Sequence, residues 1–145
     1  MNHIRPYKEQ DLDAVLSAWE SASKLAHPFL PEEFQNQLRK DIPALYLPKA
    51  DTWVLKIEGQ AQGFIALLGD EIGAIFLHLE HQGKRLGKMM MDKAQELHGD
   101  LEVEVFERNS IGRAFYDSYG FKLLERKVHA ETNENLLRLK FEPSN

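Results

Sequence analysis

The spacing of apolar positions along the chain predicts a succession of short strands and amphipathic helices. A strand is expected over residues 3–7, and apolar positions then recur at helical spacing and predict a helix over roughly residues 9–25. That apolar stripe consists of Leu12, Val15, Leu16 and Trp19. Pro31 suits the first turn of a second helix, which is expected to end at Pro43 or soon after. The first third of the chain is therefore expected to form a strand followed by a helical pair.

The middle of the chain changes to the pattern of strands. Residues 52–60 and 61–70 predict two strands joined by a tight turn at Glu58-Gly59-Gln60, and residues 71–79 predict a third. Further on, "LEVEVF" (101–106) alternates between apolar and acidic residues up to Val105, so we expect a strand with one solvent-exposed face or edge.

Two helices and a final hairpin complete the pattern. After residue 82 an apolar stripe predicts a helix, and its positions are Leu86, Met89, Met90, Ala94 and Leu97. Residues 108–120 predict a short helix closed by Gly120, and residues 121–130 and 135–141 predict a hairpin about "ETNE". The order β-αα-βββ-α-β-α-ββ results. We expect one mixed α/β (α+β) domain over residues 1–145, because no repeat or flexible linker divides the chain.

Composition narrows the class of protein. The chain of 145 residues is 43% hydrophobic and 28% charged, which is typical of a soluble globular domain. It has no cysteine, so disulfides, a thiolate nucleophile and zinc–thiolate sites are excluded. Its apolar runs, such as residues 64–68, are too short to span a membrane, and its first residues have no stretch typical of a signal peptide. We expect a cytoplasmic protein without membrane partners.

A basic segment stands out in this acidic chain. Residues 82–94 carry a formal charge of +3, so the rest of the chain sums to −8 within a net charge of −5. Phosphate is often bound where a strand leads through a glycine-containing turn into a helix, because free backbone N–H groups and the positive end of the helix dipole meet there. From the residues alone, a solvated basic helix start is the alternative. Nucleic acid is disfavoured as a partner, because the patch is short and no nucleic-acid motif accompanies it.

The six residues Gln82-Gly83-Lys84-Arg85-Leu86-Gly87 resemble the Q/R-x-x-G-x-G/A loop of the GNAT superfamily of acetyl-CoA-dependent N-acetyltransferases. This resemblance implies a GNAT-like fold whose central, mostly antiparallel mixed sheet is flanked by helices, and loop amides that hold the pyrophosphate of coenzyme A. Lys88 adds charge beside the loop. Arg85 stands where the family usually has glycine; we expect it to keep a helical backbone and to direct its side chain toward phosphate.

A second motif, "NSIGRAFYDSYGF" (109–121), is similar to the family's N-(x)6-Y-(x)3-G-F signature. Helical geometry places Asn109 and Tyr116 on one side of the helix, although an aromatic residue here would ordinarily be a packing residue. The resemblance implies that Tyr116 protonates the departing thiolate and that Asn109 binds the pantetheine arm. It also implies that the strand around Leu77 and Leu79 pairs with pantetheine and polarises the thioester carbonyl.

The proton acceptor for the amine stays open at this stage. His27, in the break between the first two helices, is a candidate for substrate contact or proton transfer, and a helix cap is its alternative role. Glu71 and His78 are rival bases, and the amine can instead lose its proton to water. We expect no metal site, because the pair His78 and His81 passes from strand to loop and no HExxH pattern exists.

The sequence thus predicts an N-acetyltransferase that moves the acetyl group of acetyl-CoA directly to a primary amine of a small molecule or peptide. A non-catalytic acyl-CoA-binding or regulatory module on the same fold is the alternative. The expected partner is an amine-bearing acceptor, and the protein is expected to be a monomer or homodimer.

Overall fold

The computed structural model describes residues 2–143. Its strands are β1 (Asn2–Pro6), β2 (Asp51–Ile57), β3 (Gln60–Leu68), β4 (Glu71–Leu77), β5 (Leu101–Phe106), β6 (Lys122–Val128) and β7 (Asn135–Phe141). Its helices are α1 (Leu12–Ala26), α2 (Glu32–Asp41), α3 (Leu86–His98) and α4 (Ser110–Tyr119). The order of elements along the chain is the one that the sequence predicts.

All seven strands belong to one sheet with the order β1-β2-β3-β4-β5-β7-β6. Every neighbouring pair is antiparallel except β4 and β5, which run parallel. These two strands share only the register pairs Glu71↔Glu102 and Ile72↔Val103. Beyond those pairs the strands separate toward their carboxyl ends, so the sheet opens into a wedge between β4 and β5. The prediction of a mixed, mostly antiparallel sheet is confirmed.

The helices cover the sheet on both faces, because each face carries its own apolar core. On one face β2 and β3 pack against α1, with a core that includes Val15, Ala18, Trp19, Val54 and Phe64. On the other face α3 and α4 lie over a larger core that includes Leu55, Ile65, Met90, Met91, Leu101 and Tyr116. Two layers of helices on a twisted sheet bury the apolar stripes that the sequence shows.

Some boundaries differ from the predicted ones. α2 ends at Asp41, and the chain continues through a wide π-type turn over Ile42–Tyr46. On α3, Met91 is buried while Leu97 is exposed, so the buried stripe lies slightly to one side of the predicted one. Among residues 2–143 no helix combines the length and apolar character needed to cross a membrane.

The segment between β4 and α3 departs most from the prediction. β4 ends at Leu77, and Leu79–His81 form a single 3₁₀ turn rather than the end of the strand. α3 begins at Leu86 instead of near Gly83. The residues between them form an irregular loop, which follows directly on the open end of the β4/β5 wedge.

Candidate active site

A cavity of about 1060 Å³ occupies the wedge between β4 and β5. Its walls include residues 72–77 of β4, 103–106 of β5 and the start of α3. Side chains from the end of α1 and from α4 also contribute, so the cavity reaches both faces of the sheet. Such a passage is possible because no strand pairing closes the sheet beyond Ile72 and Val103. The cavity can therefore be contacted by side chains from both faces of the sheet.

The loop before α3 presents unpaired backbone N–H groups to one mouth of the cavity. Gly83 and Arg85 both have left-handed backbones, with φ of 85° and 62°. Among the described residues, the N–H groups of Gly83, Lys84 and Arg85 meet no backbone or side-chain acceptor. Together with the free N–H groups of the first turn of α3, they are donors available to an anion.

The left-handed backbone corrects the expectation for Arg85, which was predicted to continue a helical backbone. A side chain at φ near +60° is strained, and glycine adopts this conformation without cost. This explains physically why glycine suits the position and why arginine is an unusual choice there. Arg85 is exposed to solvent and also lines the cavity.

The basic residues of this segment are divided between different partners. Lys84 and Arg85 form no ion pair with any of the described residues, whereas Lys88 contacts Asp92 at 2.9 Å. Lys93 lies over the ring of Trp53, 4.6 Å from its centroid, and so is directed toward the sheet. Lys84 is exposed and does not line the cavity. Arg85 and Lys88 do line it, so Arg85 is the residue that brings an unpaired positive charge to the cavity, while Lys84 adds charge nearby.

Gly87 has a packing role in the first turn of α3. A Cβ atom on Gly87 would lie 3.1 Å from the ring of Phe115 on α4. Leu86, beside it, is buried in the core under the loop. Gly87 therefore lets α3 and α4 approach closely at the cavity wall, and a large side chain there would disturb this packing as well as any ligand.

The backbone of Leu77 faces the wedge. His78 N–H donates to Gln62 of β3, and hydrogen bonding to one neighbour alternates along an antiparallel strand, so the Leu77 peptide groups point away from β3. The side-chain amide of Gln82 donates to the Leu77 carbonyl at 3.3 Å, which ties the loop to the strand end. Leu79 is different: its N–H donates to Ser21 Oγ at 3.1 Å, and the residue lies outside the main cavity.

Asn109 connects the start of α4 to the end of α1. It is 7% exposed, and its Oδ1 accepts the N–H of Gly112 at 2.9 Å, which caps the helix. Its Nδ2 lies 3.3 Å from Nε2 of His27. A Cβ atom on Gly112 would lie only 2.5 Å from that amide nitrogen, so glycine is required for this close approach.

Tyr116 lines the cavity from the same side of α4 as Asn109. Its ring packs between Phe115 and Phe121, with centroids 5.5 and 5.4 Å away. Its hydroxyl forms no hydrogen bond with any other described residue. Burial raises the pKa of the Tyr116 phenol, so the group keeps its proton at neutral pH. A hydroxyl that has no internal partner and reaches a cavity wall is available to a ligand atom.

Of the three residues predicted to lie on the substrate side, only His27 lines the cavity. His27 lines the cavity, and its backbone N–H also caps α1 by donating to Ser23. Burial lowers the pKa of His27 to about 4, so it is neutral at physiological pH. Glu71 lies at the closed end of the wedge and His78 near β3, and neither lines the cavity. The structure therefore brings together His27, Asn109 and Tyr116, but not Glu71 or His78.

The sequence interpretation missed two acidic wall residues and a tyrosine. Glu104 of β5 and Asp92 of α3 line the cavity, and Tyr119 donates its hydroxyl hydrogen bond to Asp92 at 2.6 Å. The alternation of "LEVEVF" indicated the face of Glu104, but nothing local indicates that β5 borders the wedge. Among the described residues no group of three or more His, Cys, Asp or Glu is arranged to hold a metal ion.

Comparison with known proteins gives results at three levels. Residues 48–123, more than half of the chain, match the family described as "Acetyltransferase (GNAT) domain". The chain is 27% identical over 130 residues to the peptidyl-lysine N-acetyltransferase YiaC of Escherichia coli (strain K12), with 89% of each sequence covered. The solution structure of apo YjaB from Escherichia coli has a TM-score of 0.87 at 26% identity, with 97% of both chains covered. The PaiA N-acetyltransferase of Thermoplasma acidophilum in complex with coenzyme A has a TM-score of 0.77 at 18% identity, covers 97% of this chain and 99% of its own, and shows the shared fold.

Proposed function

Because the chain belongs to the GNAT family of N-acetyltransferases, we propose that it acetylates lysine side chains of proteins, with acetyl-CoA bound in the wedge between β4 and β5. The protein is an N-acetyltransferase, and members of its family take the acetyl group from acetyl-CoA. YiaC, a relative that matches most of the chain, is named a peptidyl-lysine N-acetyltransferase. That name supports lysine in a polypeptide as the acceptor class.

The pyrophosphate of acetyl-CoA is assigned to the loop before α3. The N–H groups of Gly83, Lys84 and Arg85 have no acceptor among the described residues, and the first turn of α3 adds further free donors. A pyrophosphate satisfies all of them at once and is attracted by the positive end of the helix. The side chains of Lys84 and Arg85 add charge without being neutralised by a neighbouring acid.

The pantetheine arm is assigned to the wedge itself. The Leu77 N–H, which no strand partner satisfies on the β5 side, provides a donor to the arm, and the Leu77 carbonyl, which accepts from Gln82 at 3.3 Å, has a second lone pair for it. The Asn109 amide stands at the α4 side of the cavity, fixed by its bonds to Gly112 and His27. Leu79 has no part in this, because its N–H is already bound to Ser21.

The chemistry requires a group that meets the leaving sulfur. When the amine nitrogen attacks the thioester carbonyl, a carbon–nitrogen bond forms, the carbon–sulfur bond breaks and the sulfur leaves with the electron pair. The Tyr116 hydroxyl donates a proton to that thiolate and regains one from solvent, while the amine loses its proton to solvent. The observation that carries this assignment is the Tyr116 hydroxyl, which lines the cavity without an internal hydrogen-bond partner.

His27 has a positioning role in this scheme rather than that of a base. With a pKa of about 4 it takes up a proton poorly at neutral pH, and its Nε2 faces the amide of Asn109. Removal of the amine proton therefore falls to water.

The test is acetylation of a lysine-containing peptide, measured by mass spectrometry of the peptide and by release of the coenzyme A thiol. The enzyme has no cysteine and so contributes no thiol background. The control is the same peptide with arginine in place of lysine and a blocked N-terminus. We expect a mass gain of one acetyl group on the lysine peptide alone. Transfer to free polyamines or amino acids without transfer to the peptide would contradict the proposed acceptor class, although not the acetyltransferase activity.

A further inference from the structure

Glu104 borders the cavity on the face of the sheet where the end of α1 lies. It lies two residues before Phe106 on β5 and so points to the same face of the strand, and the ring of Phe106 lies 5.6 Å from that of His27 at the end of α1. Glu104 therefore faces the same side of the sheet as α1, opposite to the face covered by α3. Asp92, the other carboxylate of the wall, belongs to α3 and already binds Lys88 and the hydroxyl of Tyr119.

The charge environment keeps Glu104 ionised. Burial alone would raise its pKa, but hydrogen bonds and charge from Lys127 and Arg138 outweigh that effect and lower it. Arg138 is itself fixed by a 2.7 Å contact with Glu102, and it reaches Glu104 at 3.3 Å. An ionised carboxylate with a lowered pKa is a poor proton acceptor but a good partner for a cation.

The Glu104 carboxylate is already paired with a lysine ammonium group of the protein itself. Lys127, on the edge strand β6, forms a salt bridge with Glu104, and its side chain is 46% exposed. A pair between a flexible, exposed lysine and a carboxylate is weak and exchanges readily, because solvent screens it. Arg138 remains in place when Lys127 leaves, so the site stays formed. Lys127 carries the same functional group as the proposed acceptor.

We propose that Glu104 receives the ammonium group of the acceptor lysine, and that Lys127 occupies this position in the free enzyme. This inference rests on the proposed function, since it names the residue that selects a cationic amine at the same cavity. The ring of Phe106 next to Glu104, with Phe29 5.7 Å from it, offers an apolar surface for the methylene stem of the acceptor. Holding the cation here raises the local concentration of acceptor and leaves its deprotonation to solvent.

The first arm of the test compares Glu104→Gln with Glu102→Gln. Glu102 is a matched control, because it lies on the same strand and the same face and has the shorter contact with Arg138, yet it does not line the cavity. We expect Glu104→Gln to raise the KM for a lysine peptide by about tenfold or more, as expected for loss of a charged contact, with little change in kcat. Affinity for acetyl-CoA should stay within about twofold in both variants.

The second arm removes the Lys127 ammonium and keeps the Glu104 carboxylate. Lys127→Met should lower the KM for the lysine peptide by about two- to fivefold, because the acceptor no longer displaces an internal ammonium. Lys122→Met is the control, since Lys122 lies exposed on the same strand and forms no ion pair within residues 2–143. Combined with Glu104→Gln, the Lys127→Met change should lose its effect, because it acts only through Glu104.

The outcomes separate two kinds of failure. Equal KM changes for Glu104→Gln and Glu102→Gln, or a Lys127→Met effect that persists without the Glu104 carboxylate, overturn the role of Glu104. If the wild-type enzyme acetylates polyamines but not the peptide, the proposed acceptor class fails, and both arms are then run with the polyamine as the cationic acceptor. Lys127 is exposed on an edge strand, so Lys127→Met should leave the fold intact. The second arm therefore tests the proposal even if Glu104→Gln folds poorly.

Discussion

The amide nitrogen of Asn109 lies 3.3 Å from Nε2 of His27, and this contact joins α4 to the end of α1. The Oδ1 of Asn109 accepts the Gly112 N–H, so its Nδ2 is the atom that donates to His27. Nε2 of His27 must then carry a lone pair, and the ring proton resides on Nδ1, near Ser23 Oγ. Protonation would place two donors face to face, which agrees with the lowered pKa of His27.

The first prediction follows from this pair and concerns stability against pH. His27 has a pKa of about 4 in the folded protein against 6.5 for an ordinary histidine, so between these values the unfolded chain binds a proton that the folded protein does not. The free energy of unfolding should therefore fall as the pH drops from 6.5 toward 4, by up to about 3 kcal/mol from this residue. Urea unfolding at several pH values measures it.

Two substitutions test the attribution to His27. In His27→Gln this part of the pH dependence should disappear, whereas His3→Gln, at an exposed position on β1, should retain it. An unchanged slope in His27→Gln would mean that other groups cause the acid sensitivity.

The periodic elements were predictable from the sequence, because their signals are local. Leu12, Val15 and Trp19 mark α1 through helical spacing, and "LEVEVF" marks β5 through alternation. Helical geometry also placed Asn109 and Tyr116 on one side of the helix, and in the structure both line the cavity.

The missed features depend on tertiary structure or on single dihedral angles. The left-handed φ of Arg85 cannot be inferred from a basic residue at a helix start, so its backbone was predicted wrongly. Glu104 was missed because its place beside the cavity depends on β5 pairing with β4 over only two residues. His27 and Asn109 meet across 82 positions of the sequence, a separation at which periodicity carries no information.

The second prediction concerns Arg85 and separates its backbone from its side chain. Arg85→Gly should raise the free energy of unfolding by about 0.5–1 kcal/mol, because glycine adopts a φ of 62° without strain. It should also weaken acetyl-CoA binding by about two- to fivefold at low salt, because an exposed guanidinium beside the phosphates is lost. Arg85→Ala, which retains the strain, should lose affinity without gaining stability. Tighter binding by Arg85→Gly would show that the guanidinium does not meet phosphate.

The third prediction uses Gly112, where the sign of the stability change is informative. In the interior of an ordinary helix, replacing glycine by alanine stabilises by about 0.5–1 kcal/mol. Here the new Cβ would lie 2.5 Å from the Asn109 amide, so we expect Gly112→Ala to destabilise the protein and to weaken acetyl-CoA binding by displacing Asn109. Thermal unfolding and calorimetry measure the two effects. A stabilised variant with unchanged affinity would remove Asn109 from the cofactor site.

The last prediction concerns Tyr116, whose hydroxyl is proposed to protonate the leaving thiolate. Tyr116→Phe keeps the ring contacts with Phe115 and Phe121 and removes only a hydroxyl that has no hydrogen-bond partner among the described residues. Stability and acetyl-CoA affinity should therefore be retained, while the rate of transfer to a good acceptor should drop by about 10²-fold or more.

Tyr119→Phe provides the matched comparison for this change. Tyr119 lies on the same helix and lines the same cavity, but its hydroxyl is bound to Asp92 and Gln95, so its loss should cost stability more than rate. Single-turnover rates are the proper measure, because slow product release can hide a defect in the chemical step. If Tyr116→Phe transfers acetyl at the wild-type single-turnover rate across pH, the tyrosine is a packing residue, and water must supply the proton to the sulfur.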